Sequence, residues 1–371
     1  MYFSVPFCIK ILSTTKILII IQRSNGDVFL GSSLIKALHE YYGSPKIDLL
    51  INDDTISIAK EIPLINKIHL FSYSQKQNKR WDQEKKIIFK IFKRYDLSIN
   101  LTSSDRSVLY ALLAGKKTIS AVEMNWKKSW WKKFLLTHYY YFDKNKHILV
   151  NNLQPLKLLN INFKNFHYPI DVPENVVLKV KRMLDRFSIR NFIIFHPSAQ
   201  YQYKVYPKHL RDILLSNLSN LGITIIVTGG NNSIDKEIKK QLPSIPNIFD
   251  FIGETSIIEF FALSKLSLGY IGMDTLNMHV AASQSKAIFA IFGPTNLKMW
   301  SPWSNELGDS AKINIPIQTY GNSTIFQANM SCVACGRAGC FDDNGISDCL
   351  HHIDPTVIYD KVKEYYEKNQ L

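Results

Sequence analysis

The chain is short of the residues and segments that define several protein classes. It has 5 cysteines, 16 glycines and 14 prolines in 371 residues, which excludes a small disulfide scaffold, a collagen-like chain and a linker-dominated chain. The apolar N-terminal stretch is interrupted by Lys10 and Lys16, so no run approaches the roughly 18 residues of a membrane-spanning helix, and no small-residue cleavage site follows. We therefore expect a short leader before a buried strand at Ile17–Ile21, and a soluble, cytoplasmic protein.

The composition supports a large folded core. Hydrophobic residues make up 46% of the chain and charged residues 20%, which excludes wholesale disorder. At about 150 residues per domain, the length favours two domains.

Positive charge is concentrated in the first half of the chain. The segment from Lys67 to Lys146 has 18 Lys or Arg and 6 Asp or Glu, a net charge of +12 out of +14 for the whole chain. Such a surface attracts nucleic acid, acidic lipid or a phosphorylated substrate, or it only aids solubility.

Apolar runs alternate with amphipathic segments in both halves of the chain. This pattern is typical of parallel sheets covered by helices on both faces. In the first half we predict strands at 17–21, 47–51, 67–71, 97–101 and 118–122, and helices at 28–38, 54–62, 81–94 and 105–114. In the second half we predict strands at 191–195, 223–227, 248–252, 268–271 and 287–292, and helices at 207–221, 232–241, 256–265 and 275–283. The fold class is therefore α/β, with doubly wound domains at 1–170 and 171–371 and a linker near 165–175.

Ligands of such sheets bind beyond the carboxyl ends of the strands, so the loops there are the candidate sites. After the first strand, Ser24-Asn25-Gly26-Asp27 leads into a helix, where Asp27 is either an N-cap or a general base. After Asn191–Phe195, His196-Pro197-Ser198 is followed by Lys204, which can pair with a phosphate.

The strongest candidate is the loop Gly272-Met273-Asp274-Thr275-Leu276, which runs from a strand into a helix that carries His279. The amides of a helix N-terminus form an anion site. His279 either is a core histidine or lines a phosphate pocket. Phe292-Gly293-Pro294-Thr295 closes the next strand.

These four segments, in this order, resemble the motifs of glycosyltransferase family 9, the ADP-heptose:lipopolysaccharide heptosyltransferases. The matching residues are Gly26-Asp27, His196-Pro197 with Lys204 and Tyr206-Pro207, Asp274-Thr275 with His279, and Phe292 to Thr295. The resemblance covers roughly residues 16 to 305. Two positions depart from it: Leu276 stands where the family usually has glycine, and Val205 where a basic residue is common.

The resemblance implies the GT-B fold, in which two Rossmann-like domains face a central cleft. The N-terminal domain would bind the acceptor, and the C-terminal domain, with its Cys-rich tail at 332–349 and a C-terminal helix, would bind the nucleotide sugar. Asp27 would be the general base of an inverting heptose transfer from ADP-heptose, with no cofactor. The residues expected to bind the nucleotide sugar are Ser198, Lys204, Gly229, Gly230, Asp274, Thr275, Leu276 and His279.

The resemblance also implies a phosphorylated lipopolysaccharide inner-core acceptor at the cytoplasmic face of the inner membrane. Such an acceptor gives the basic segment a partner. Residues 126–134, WKKSWWKKF, interleave aromatics with lysines. They either form a helix in peripheral contact with the membrane or a loop whose tryptophans cover the core.

A cysteine cluster near the C-terminus carries a separate expectation. Cys332, Cys335, Cys340 and Cys349 have spacings that suit a structural zinc or iron site, and reduced free thiols are the alternative.

Other functions remain open from the residues alone. They include a sugar epimerase, another nucleotide-sugar enzyme with a protein acceptor, and a nucleic-acid-binding protein. No recognised nucleic-acid motif accompanies the basic segment, so we expect no nucleic-acid partner. No Gly-x-Gly-x-x-Gly follows either first strand, which disfavours an NAD-dependent oxidoreductase.

Overall fold

The computed structural model describes residues 14–76, 80–163, 170–340 and 345–369. The expected leader lies outside these residues, as does part of the linker expected near 165–175. Among the described helices, none is long and apolar enough to span a bilayer.

The first half of the chain forms a parallel sheet. Its strands are β1 (Lys16–Ile21), β2 (Lys46–Asn52), β3 (Ile65–Phe71), β4 (Tyr95–Asn100), β5 (Gly115–Val122) and β6 (His138–Tyr141). They lie in the order β3-β2-β1-β4-β5-β6, and every pair is parallel. The helices of this half are α1 (Asn25–Leu30), α2 (Ser32–Tyr42), α3 (Ile56–Glu61), α4 (Arg80–Ile91), α5 (Asp105–Ala114), α6 (Trp126–Leu135), α7 (Ile148–Asn152) and α8 (Gln154–Leu158).

The second half repeats this arrangement. Its strands are β7 (Phe192–His196), β8 (Thr224–Gly229), β9 (Ile248–Ile252), β10 (Gly269–Met273), β11 (Ala287–Ile291), β12 (Ile317–Tyr320) and β13 (Ser323–Phe326). Their order is β12-β13-β11-β10-β7-β8-β9. The helices are α9 (Glu174–Asp185), α10 (Lys208–Ser219), α11 (Ser233–Lys240), α12 (Ile257–Leu266), α13 (Leu276–Ser283), α14 (Leu297–Trp300), α15 (Asp348–His351) and α16 (Pro355–Lys368).

Both sheets are doubly wound. In each half the first strand lies between the second and the fourth, so the chain moves outward in two directions from the centre of the sheet. The central strands are buried on both faces, which explains their continuous apolar sequences. The expected parallel pattern holds except at β12, which pairs antiparallel to β13.

One predicted helix is divided in two. The apolar spacing over 28–38 predicted a single helix, but Gly31 separates α1 from α2. A Cβ at Gly31 would lie 2.7 Å from Cδ1 of Ile21, so β1 and this helical segment pack closely at this position.

The two halves contact each other on one side of the first sheet. The ring of Phe29 in α1 meets that of Phe261 in α12 edge-on, with 5.7 Å between centroids. Asn296 donates from Nδ2 to the carbonyl of Lys144 at 3.0 Å. These contacts bring the carboxyl ends of β1 and of the second sheet to a common cleft.

Candidate active site

A cleft of about 550 Å³ opens between the two halves. One side is the loop after β1, residues 24–26, and the other side is formed by the loops after β7, β8 and β10 and by the N-terminus of α12. All eight residues predicted to bind a nucleotide sugar line it: Ser198, Lys204, Gly229, Gly230, Asp274, Thr275, Leu276 and His279.

Asp27 lies directly behind the first side of the cleft. Ser24, Asn25 and Gly26 line the cleft, whereas Asp27 does not. Its carboxylate is buried and accepts three hydrogen bonds: from Arg23 Nη1 at 3.2 Å, from Ser24 Oγ at 2.7 Å and from the Ser24 amide at 3.3 Å. The alternative prediction, that Asp27 is the N-cap of α1, is wrong. Ser24 is the N-cap, and Asp27 is the third residue of the helix.

Arg23 holds the other oxygen of this carboxylate in an ion pair. Its guanidinium also lies over the ring of Phe142, 4.4 Å from the centroid. A carboxylate has about four lone-pair sites, and three donors are already present here. The three hydrogen bonds therefore leave one of these sites unused.

Lys204 and Asp274 form an ion pair on the opposite side. Lys204 Nζ lies 3.0 Å from Asp274 Oδ2, and the Asp274 carboxylate is almost fully buried. A buried carboxylate needs such a partner, and the pair fixes the lysine at the mouth of the loop that leads into α13.

The close packing of β10 on β7 sets the position of that loop. Gly272 has φ +154°, and a Cβ there would lie 2.3 Å from the carbonyl oxygen of His196. A side chain at this position would therefore push the strands apart. The start of α13 at Leu276 is left facing the cleft, and no side chain caps it at Thr275. Its first amides can donate to an anion.

Asp235 is a cleft residue that sequence reasoning missed. It is buried and accepts a hydrogen bond from Ser198 Oγ and one from the Asn232 amide at 3.2 Å. A Cβ at Gly229 would lie 2.9 Å from its Oδ1, so the absent side chain makes room for this carboxylate. The signal was present in the sequence, because Asn232 and Asp235 have capping-box spacing directly after a strand-ending Gly-Gly.

His196 is a neutral hydrogen-bonding group in the wall of the cleft. Its Nδ1 lies 2.9 Å from Thr228 Oγ1, and Asn277 Nδ2 lies 3.1 Å from the ring. Burial lowers the pKa of His196 to about 4, so the ring carries no charge near neutral pH. The family resemblance included His196 in its His-Pro motif. It did not predict Asn277 and Thr228 as the hydrogen-bonding partners of this histidine.

The two sides of the cleft meet at His279. A Cβ on Gly26 would lie 3.9 Å from Cδ2 of this histidine, and its ring is 6.4 Å from that of Trp300. Near this contact, Asn25 Oδ1 and Thr295 Oγ1 are buried without a hydrogen-bond partner among the described residues. Unpaired buried polar atoms are costly, so a ligand with several hydroxyl groups would be favoured here.

The expected metal site at the four cysteines is not supported. Cys332 and Cys335 are exposed, whereas Cys349, in α15, is buried in the core of the second half. No group of three or more His, Cys, Asp or Glu in the described ranges is arranged to hold a metal. Burial, together with the neighbouring thiols of Cys340, Cys335 and Cys332, raises the pKa of Cys349 to about 11.

Two facing doubly wound sheets with a ligand cleft between them define the GT-B architecture of nucleotide-sugar-dependent glycosyltransferases. The family model described as glycosyltransferase family 9 (heptosyltransferase) matches residues 85–319, more than half of the chain. The chain therefore belongs to this family and is a glycosyltransferase. Asp27 lies outside the matched residues.

Named relatives agree with this assignment. The chain is 28% identical over 296 residues to lipopolysaccharide heptosyltransferase 3 of Escherichia coli K12, which covers 77% of this chain and 85% of the relative. E. coli ADP-heptose lps heptosyltransferase II superposes with a TM-score of 0.68 at 18% identity, over 96% of this chain and all of that one. E. coli heptosyltransferase WaaC with ADP-2-deoxy-2-fluoro heptose gives 0.67 at 14% identity, over the same shares. The two structures show the fold alone.

Proposed function

We propose that the protein transfers a heptose from ADP-heptose to the inner core of lipopolysaccharide, with inversion at the anomeric carbon. The observation that carries this proposal is the cleft, where the loop that precedes Asp27 in the first half faces a lysine and an uncapped helix N-terminus from the second. The 28% identity to a lipopolysaccharide heptosyltransferase supports heptose as the transferred sugar and lipopolysaccharide as the acceptor.

The side of the cleft formed by the second half of the chain suits the leaving nucleoside diphosphate. Lys204 supplies a positive charge held by Asp274, and the first amides of α13 supply donors that are already oriented. Fixed groups of this kind stabilise developing negative charge without reorganising during the reaction. We therefore propose that the transfer itself needs no metal or other cofactor. Leu276, at the start of α13, would place a side chain beside the diphosphate, at the position where the resemblance to the family leads us to expect glycine.

Asp27 is the proposed general base. Its fourth lone-pair site would accept the proton of the acceptor hydroxyl, whose oxygen then forms the bond to the anomeric carbon as the bond to the diphosphate oxygen breaks. Arg23 and Ser24 orient the carboxylate while this happens. The acceptor would be a phosphorylated, lipid-anchored core, bound by the basic first half at the cytoplasmic face of the inner membrane.

Mass spectrometry and product analysis test this function together. Purified protein, ADP-heptose and lipopolysaccharide from a deletion strain are expected to yield ADP and an acceptor heavier by one heptose. The deletion strain's lipopolysaccharide should lack that heptose. Intact lipopolysaccharide in the deletion strain would contradict the acceptor. Conversion of the nucleotide sugar without transfer would instead identify an epimerase.

A further inference from the structure

The outer face of the first sheet carries an aromatic stripe remote from the cleft. Trp126, Trp130 and Phe134 occupy one face of α6 at four-residue spacing and are 67%, 56% and 86% exposed. Trp131 packs instead with Val108 of α5. The segment is a helix, as the first of the two alternatives predicted, but one of its three tryptophans covers the core, as the second predicted. The other two face outward. Monomeric soluble proteins rarely expose such a contiguous apolar surface without a use for it.

The stripe is held rigidly. Lys132, on the opposite face of α6, is fully buried, and its Nζ lies 2.7 Å from carboxylate oxygens of both Asp105 and Glu123. The same nitrogen donates to the carbonyl of Ser103 at 2.7 Å. These three contacts fix the helix to the domain. The loss of conformational entropy when the stripe binds a partner is therefore small.

Positive charge surrounds the aromatic rings. Lys127 and Lys128 are exposed on α6, which contains no acidic residue. Lys133 Nζ lies 4.7 Å from the ring centroid of Trp126 and donates to Tyr141 Oη at 2.8 Å. Lys133 thus connects the aromatic stripe of α6 with β6.

Helix α4 adds a second group of exposed aromatic and basic side chains, although it also contains Asp82 and Glu84. It packs against α5 on the side away from α6. Phe89 in α4 is 76% exposed, and Lys85, Lys86 and Lys90 are exposed around it.

We propose that the exposed stripe of α6, with its flanking lysines and α4 beside it, docks the enzyme on the surface of an anionic lipid bilayer. Aromatic and apolar side chains enter the boundary between headgroups and acyl chains, and lysines pair with anionic headgroups. A second copy of the chain is a poorer occupant, because two such basic surfaces repel each other. The inference deepens the proposed function, since this bilayer would carry the acceptor.

Sedimentation with vesicles that contain no acceptor tests the docking separately from catalysis. The protein is expected to sediment with vesicles of phosphatidylglycerol and phosphatidylethanolamine and to remain in solution with phosphatidylcholine. The triple variant W126S/W130S/F134S should bind the anionic vesicles more weakly. So should K127E/K128E, by roughly tenfold or more, because each lysine near an anionic surface contributes about 1 kcal/mol.

The matched control is K236E/K240E in α11, which makes the same change of charge on exposed lysines of the second half. It should bind vesicles like the unchanged protein, and all variants should bind ADP equally. Equal binding by the stripe variants, or equal loss in the control, would overturn the proposal. A change of oligomeric state in the triple variant would assign the stripe to a second copy, and tighter binding to duplex RNA than to vesicles would assign it to nucleic acid. Failure of transfer to a deacylated, soluble acceptor would count against the proposed function and not against docking.

Discussion

Asp27 combines two roles that substitutions can separate. Its carboxylate closes the first turn of α1 through Ser24, and it is the proposed base. Asp27→Asn keeps an acceptor oxygen for the turn but cannot take a proton. We expect this variant to lose about two to four orders of magnitude in kcat, the contribution of a general base, and to lose less stability than Asp27→Ala, although its ion pair with Arg23 is removed.

Asp27→Ala should lose the same rate and in addition about 0.5–2 kcal/mol in the free energy of unfolding, because the first turn loses its side-chain acceptor. Steady-state kinetics and urea denaturation of both variants separate the effects. Near-unchanged turnover by Asp27→Asn would show that the base is another group.

Lys204 presents a similar problem, because it neutralises a buried carboxylate as well as facing the ligand. Lys204→Ala is expected to raise the Kd for ADP roughly tenfold to a hundredfold, the range of a lost charged hydrogen bond of about 1.5–3 kcal/mol. Lys208→Ala is the control. Lys208 and Asp212 form an ion pair within α10, and neither residue lines the cleft.

Isothermal titration of the double variant Lys204→Ala/Asp274→Asn shows whether the loss comes from the lysine or from the stranded carboxylate. Tight ADP binding restored in the double variant would mean that Lys204 acts only by neutralising Asp274. An unchanged Kd in the single variant would remove Lys204 from the site.

At the scale of elements, periodicity was a good guide wherever the strands and helices are long and regular. The strand at Ile248–Ile252 and the helix at Asp105–Ala114 have the predicted bounds, since both have apolar patterns that only one element fits. The division at Gly31 was not predicted, because the apolar spacing continues across it, and its close approach to Ile21 is a contact with another element. Sequence periodicity within one segment contains no information on such tertiary contacts.

The cleft was predictable to a similar degree. Motifs in four loops identified the residues that the sheet topology brings together, because carboxyl ends of parallel strands share one edge. Asp235 and Asn277 were missed because their roles depend on partners far away in the chain, Ser198 and His196. The metal site expected at the four cysteines is not supported, because no group of metal-ligating side chains among the described residues is arranged to hold an ion.

At the scale of the whole molecule, a buried histidine links the two halves. His147 caps α7, because its Nδ1 accepts from the Leu149 amide at 3.2 Å, and its Nε2 lies 2.8 Å from the carbonyl oxygen of Ser301 in the second half. The proton therefore resides on Nε2, which donates across the interface. Protonation of Nδ1 would break the cap.

This link should make stability depend on pH. Burial lowers the pKa of His147 to about 4, against roughly 6.5 in an unfolded chain. Below pH 6.5 the unfolded state gains a proton that the folded state does not bind, so the free energy of unfolding should fall by up to about 1.4 kcal/mol per pH unit. His196, with a similarly lowered pKa, should contribute in the same direction.

Urea denaturation between pH 6.5 and 5, above the range in which most carboxylates titrate, measures this slope. His147→Asn retains an acceptor for the cap but does not titrate. Its free energy of unfolding should therefore change less steeply with pH, by the contribution of His147. His352→Asn, at an exposed position, should leave the slope as it was. If both variants keep the original slope, His147 is not the group whose protonation loosens the contact between the two halves.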